Sequence, residues 1–229
     1  MDMKLKPKKI YNKLYFPSLY SLIILLLALN LISVFGKEKS FLLINQFHSS
    51  FFDYFFSYIT NLGDGFIWIP LMTFTVIYHQ KKWLIIVINF ILSTSLAIIF
   101  KGLIFPNALR PAYLVNEGFS LHFVQGVKIY AQNSFPSGHT ITAFAVAFTL
   151  ILLLKKKNYY KYLFFITAFL VGFSRIYLAE HFPIDVIAGA FIGIFSTYLS
   201  VYFLSLFKPF KVVIEDQESF PFETKIYTS

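Results

Sequence analysis

Uncharged apolar runs alternate with short polar stretches along this chain, and that alternation sets the first expectation. A run near ~20 residues is what a helix needs to cross the hydrocarbon core of a bilayer. Six segments of this kind are found, at about 18–35, 65–78, 83–100, 140–154, 162–174 and 184–207. The second is the least regular. It follows an aromatic-rich stretch, 41–59, that suits an interfacial amphipathic helix. Asn61-Leu62-Gly63-Asp64-Gly65 then reads as a turn and a helix start. The pattern predicts an all-α bundle of six membrane helices over 18–207, between a basic head (1–17) and a short tail (208–229). No internal repeat is visible.

Composition and charge sharpen this picture. Hydrophobic residues make up 57% of the chain and charged ones 14%, where a soluble domain carries roughly 25% charged residues. The net charge of +9 raises the question of nucleic acid, but the lysines sit in clusters between apolar runs (4–13, 81–82, 155–161). That is the signature of cytoplasmic loops. With both termini cytoplasmic, fourteen of the eighteen lysines fall inside and only four, with both arginines, outside. The basic head before the first run also raises a signal peptide. Ser33-Val34-Phe35-Gly36-Lys37 is a poor cleavage site, so an uncleaved anchor is expected. Cysteine is absent, which removes disulfides and thiolate metal sites. The segments 101–139 and 175–185 then both emerge at the outer face.

Chemistry concentrates in those two segments. The only arginines, Arg110 and Arg175, lie there, and a planar fork matters most where phosphate is held. Lys101 accompanies Arg110-Pro111, although a lysine ending a span also serves as an interfacial anchor. Pro136-Ser137-Gly138-His139 stands directly before the fourth run. Free N–H groups and the helix dipole make such a start an anion site, while Ser137 also suits a plain N-cap. His181 and Asp185 are four apart, so a helical turn sets them on one face, where the carboxylate can fix the imidazole tautomer. A carboxylate just inside a span is expensive and functional by default, though a His–Asp pair can be structural. Two histidines, an acid, three cations and a helix start match phosphoryl transfer by covalent catalysis. One histidine attacks phosphorus, the other protonates the leaving oxygen, and the cations hold the equatorial oxygens. The acids nearby (Asp185, Glu180, Glu117) are too few for a paired-metal site, so no metal and no cofactor are expected.

These residues resemble the type 2 phosphatidic acid phosphatase family, whose superfamily includes vanadium haloperoxidases and bacterial acid phosphatases. The family's pattern is Lys-x6-Arg-Pro, Pro-Ser-Gly-His and Ser-Arg-x5-His-x3-Asp. The second block matches at Pro136 to His139, and the third at Ser174, Arg175, His181 and Asp185. The first departs: eight residues separate Lys101 from Arg110, Leu103 occupies the expected lysine position, and a bulge at Pro106 is expected. The resemblance implies that His181 is the nucleophile, oriented by Asp185, and that His139 is the general acid. It further implies that Lys101, Arg110, Ser137, Gly138 and Arg175 bind the phosphate. His79 falls on the cytoplasmic side. His48 and His122 match no motif and are read as surface or interfacial.

The function expected is metal-independent hydrolysis of a phosphate or diphosphate on a membrane lipid, at the outer face of a bacterial inner membrane. Undecaprenyl diphosphate, phosphatidic acid, phosphatidylglycerol phosphate and lipid A phosphates all qualify. A lipid phosphotransferase would use the same intermediate. A non-enzymatic translocator would carry polar groups mid-span, whereas here they collect at one face. Neither nucleic acid nor an obligate protein partner is implied.

Overall fold

The computed structural model describes residues 8–78, 83–153 and 159–206, which form helices, short turns and one long irregular segment, 105–137, holding a 3₁₀ turn at Pro111–Val115. Seven helices follow in order: α1 (Lys8–Asn45), α2 (Ser50–Ile59), α3 (Trp68–Tyr78), α4 (Trp83–Ile99), α5 (Gly138–Leu153), α6 (Tyr160–Tyr177) and α7 (Pro183–Ser205). A π turn, Phe100–Ile104, extends α4, and two 3₁₀ turns lead into α3. Three helical stretches are long and apolar enough to cross a membrane: Lys13–Asn45, Trp83–Ile104 and Pro183–Ser205. Gly65–Ile77 and Gly138–Leu153 are shorter apolar helices. The large side chains of α1 that face outward, Leu22, Leu26 and Leu27 among them, are exposed, as a lipid-facing helix requires.

The centre of the bundle is α5, which packs against α4, α6 and α7. Twelve of its sixteen residues are buried, so an apolar circumference here marks an interior helix. Its contact with α7 is set by glycine. A Cβ at Gly193 would lie 2.5 Å from the Ile141 carbonyl oxygen, and one at Gly189 would lie 2.7 Å from that of Ser137. Small residues four apart let the two backbones touch, the packing mode that joins helices in lipid. Deeper in the bundle the Asn89 amide faces the Ala145 carbonyl and the hydroxyls of Thr149 and Thr197 at 2.6–3.1 Å, clamping α4, α5 and α7.

Two local features differ from the sequence reading. The stretch 41–59 is not one interfacial helix: residues 41–45 finish α1, which breaks at Gly36 (φ 79°), and α2 begins afresh after its N-cap, Ser49. The cause is tertiary, because the Asn45 side chain bonds both the N–H and the carbonyl of His122 and turns the chain there. The third apolar run also continues four residues beyond Phe100 as the π turn. His79, the lysines at 81–82 and 155–157, and the 208–229 tail lie outside the described residues.

Candidate active site

The glycine-tight α5–α7 contact brings the two intact motifs together. The Ser137 N–H donates to the Asp185 carbonyl oxygen at 3.0 Å, which fixes the start of α5 against the first turn of α7. Asp185 is buried and its carboxylate caps α7, accepting from the Phe182 N–H at 3.0 Å and from the Ser134 hydroxyl at 2.5 Å. The same oxygen, Oδ2, lies 3.4 Å from His181 Nδ1. A carboxylate at Nδ1 leaves Nε2 as the free nitrogen of the imidazole. His181 is 1% exposed, and its turn is held by the N–H groups of Glu180 and His181, which both donate to the Arg175 carbonyl at 3.0 Å. Ala179 adopts a left-handed conformation (φ 57°) to close that turn.

The arginines converge on one acid. Arg110 Nη1 forms an ion pair with Glu180, and Arg175 Nη2 lies 3.4 Å from the same carboxylate oxygen. Arg110 is positioned by backbone pairing on both sides, Arg110 N–H to Ala131 O and Ser134 N–H to Ala108 O, and its Nε donates to Gln132 O at 2.9 Å. Its guanidinium also lies 5.1 Å over the Tyr130 ring. Arg175 Nη1 donates to Thr60 Oγ1 at 2.7 Å. Its Nε is buried without a partner among the described residues, a costly state for a donor that an anion would relieve.

Lys101 sits in the π turn, where eight residues separate it from Arg110, with Asn107 (φ 64°) turning the chain between them. The spacing does not remove it from the site. Its Nζ donates to Asn133 O at 2.8 Å, and its Cε lies 3.8 Å from where a Gly138 Cβ would stand. The lysine therefore crosses the N-terminus of α5, over a residue with no side chain to obstruct it. Ser137 is fully buried, and its hydroxyl accepts from Thr140. His139, in the first turn of α5, lines a polar cavity of about 730 Å³ together with Arg175 and Glu180. Asp53 and Tyr54 of α2 and the Val124–Lys128 loop line the rest of the cavity.

Electrostatics follow from this convergence. Burial pushes the His181 pKa well below its ordinary value, and the charges of Arg110, Arg175 and Lys101 add to the effect. Burial and neighbouring cations both favour the neutral imidazole. Burial also raises the Glu180 pKa, an effect opposed by Arg175 and Arg110.

The eight residues singled out from the sequence thus gather at one end of the bundle, where His139 and Arg175 line the cavity and His181, Asp185 and Ser137 are buried. Four contributors were not singled out as site residues: Glu180, Ser134, Thr60 and Lys37, whose Nζ lies 4.1 Å over the Phe182 ring. His48 and His122 stack at 3.8 Å, with His122 Nε2 2.9 Å from Asp53. Asp53 also binds the Tyr177 hydroxyl, so this cluster ties α2 to the end of α6.

The family model described as PAP2 superfamily matches residues 82–208. An undecaprenyl-diphosphatase of Sulfolobus acidocaldarius is 30% identical over 190 residues, 79% of this chain and 88% of that protein. A lipid A 4'-phosphatase of Bacteroides thetaiotaomicron is 30% identical over 72% of this chain and 74% of its own length. The crystal structure of Aquifex aeolicus LpxE superposes with a TM-score of 0.62 at 34% identity, covering 72% of this chain and 93% of that one.

Proposed function

Because this chain belongs to the PAP2 superfamily and is an enzyme of the phosphatase kind, we propose that it hydrolyses a phosphate or diphosphate on a membrane lipid through a phosphohistidine at His181. In this reading α1, α3, α4, α5, α6 and α7 cross the bilayer, both termini are cytoplasmic, and the pocket faces outward. The lysine asymmetry supports that orientation. The observation that carries the chemistry is the buried His181–Asp185 pair, 3.4 Å apart, beside an arginine with an unpartnered Nε.

The phosphate sits on Arg175, Arg110, Lys101 and the N-terminus of α5 at Ser137 and Gly138. These cations and N–H groups stabilise the charge that develops on its equatorial oxygens. His181 Nε2 attacks phosphorus while the bond from phosphorus to the leaving oxygen breaks. His139 gives that oxygen a proton, and the substrate's own negative charge favours the imidazolium form needed for this. Asp185 holds the Nδ1 proton and balances the cation formed at His181. In the second half, water loses a proton to His139 and attacks phosphorus, the P–N bond breaks, and phosphate leaves. Undecaprenyl diphosphate and lipid A type phosphates, which the relatives' names specify, are the first substrates to test.

The test is phosphate release by the purified protein from a panel of lipid phosphates and diphosphates, with and without a chelator. Activity that survives chelation, is inhibited by vanadate and disappears in His181→Ala is the expected result. Activity abolished by the chelator would overturn the metal-free mechanism. Full activity in His181→Ala would overturn the nucleophile.

A further inference from the structure

We infer that an apolar slot between α3, α5 and α6 holds the hydrocarbon chain of the substrate while its phosphate occupies the polar pocket. This deepens the lipid-phosphatase reading and rests on it. The slot has a volume of about 430 Å³ and is walled by Leu71 and Phe74 of α3, Ala147 and Leu150 of α5, and Leu163 and Thr167 of α6. The Thr167 hydroxyl donates to the Leu163 carbonyl, so it is not left for a polar ligand. Such a surface favours hydrocarbon over a head group.

What identifies the occupant is how closely the slot adjoins the polar pocket. The same three stretches of chain wall both. On α6, Arg175 lines the pocket and Val171 the slot. On α5, His139 lines the pocket and Ala143 the slot. Residues four apart stand one above the other on a helix, a single turn or ~5.4 Å along its axis. On the turn before α3 the change is sharper still, from Asn61 in the pocket to Leu62 in the slot. The divider between the two spaces is Gly63, where a Cβ would lie 2.7 Å from the His139 carbonyl oxygen and 2.6 Å from Val171 Cγ1. A phosphate on Arg175 therefore has polar space on one side and, one helical turn away across the thin Gly63 turn, an apolar slot along α5 and α6. An amphiphile with phosphate at the junction fits both.

The test uses the full-length protein in mixed micelles and compares long-chain phosphatidic acid, a short-chain analogue and a water-soluble aryl phosphate. Thr167→Trp and Leu150→Trp fill the slot from half-buried positions away from the pocket. Each is expected to lower kcat/KM on the long-chain lipid by roughly tenfold, the worth of about two buried methylenes, while leaving the aryl phosphate within about twofold. Retained aryl phosphatase activity is also the check on folding. Unchanged long-chain activity in both variants would overturn the inference, since bulk lipid then fills the slot. Equal loss on all three substrates in both variants would also overturn it, because the slot then serves only the fold. If the wild type cleaves the aryl phosphate but no lipid phosphate of any length, the lipid reading itself fails and this inference with it.

Discussion

Asp185 Oδ2 receives the Ser134 hydroxyl at 2.5 Å and stands 3.4 Å from His181 Nδ1, so one carboxylate oxygen serves both the helix cap and the imidazole. Asp185→Asn keeps the shape of the cap but can present an N–H where Nδ1 needs an acceptor. It is expected to lower kcat by roughly 10²–10⁴. Ser134→Ala removes one of the hydrogen bonds to the carboxylate, and a loss of about tenfold is expected from a bond to a charged group. Steady-state kinetics on one lipid phosphate check both. A larger loss in Ser134→Ala than in Asp185→Asn would show that the serine acts on substrate and not through the acid.

Glu180 is the counter-ion of two buried arginines, Arg110 and Arg175. In Glu180→Gln those guanidinium groups face each other without it, a change that costs about 3–5 kcal/mol for a buried pair. The Tm of the variant in detergent is expected to fall. Vanadate brings the missing negative charge, so it is expected to raise the Tm of Glu180→Gln by more than that of the wild type. Equal vanadate shifts in the two proteins would mean that Glu180 does not hold the arginines for the anion.

The pH dependence follows from the state of His181. As nucleophile it must be neutral, and burial followed by the field of Arg110 depresses its pKa. Activity governed by His181 is therefore present above that depressed pKa and lost only as pH falls through it, below the ordinary histidine value of about 6.5. Removing a cation raises the pKa of a neighbouring imidazole. Arg110→Gln is expected to lower the rate and also to move the acid limb of kcat/KM to higher pH. The limb stays below the ordinary value, because burial remains. A limb that does not move, or moves to lower pH, contradicts the assignment.

The parts of the site legible in the sequence are those that chemistry fixes at short spacing. His181 and Asp185 sit on one helical turn, and Ser137 to His139 form one helix start, so their proximity follows from local geometry. Glu180, Ser134 and Thr60 carried no such signal. Glu180 reads as one more polar residue in a turn until Arg110, seventy residues away, is laid against it. The altered first block illustrates the opposite case, since the π turn and the bend at Asn107 are invisible in spacing yet bring Lys101 over Gly138. That the chain is helical, with runs apolar enough to cross a membrane, was likewise readable from hydropathy. The break at 46–49 was not, because it is set where the Asn45 side chain meets the backbone of a distant residue, His122.

The depth of α7 against α5 depends on glycine at two positions, and the consequences reach the active site. At Gly193 the atom nearest an added Cβ is the Ile141 carbonyl oxygen at 2.5 Å, which belongs to the backbone and cannot rotate away. Gly193→Val is expected to cost about 1–3 kcal/mol by overpacking and to push α7 off α5. Asp185 moves with α7, so kcat is expected to fall although the substitution is two helical turns from the carboxylate. Gly65→Ala is the control, because a Cβ there meets nothing within 4 Å. A Gly193→Val protein of lower Tm but full kcat would separate the packing from the site.

Orientation in the membrane is open to a direct assay, because the chain contains no cysteine and any introduced thiol is unique. Glu117 and Tyr159 are both exposed and lie in loops that the proposed topology sets on opposite sides of the bilayer. In intact cells a membrane-impermeant maleimide is expected to label Glu117→Cys and to spare Tyr159→Cys until the membrane is permeabilised. The prediction is sharp because the pocket and Glu117 belong to the same side, the segment between α4 and α5. Labelling of Tyr159→Cys alone would invert the bundle and put the phosphate pocket in the cytoplasm. The histidine chemistry would be untouched by that result, but every substrate confined to the outer leaflet would be eliminated.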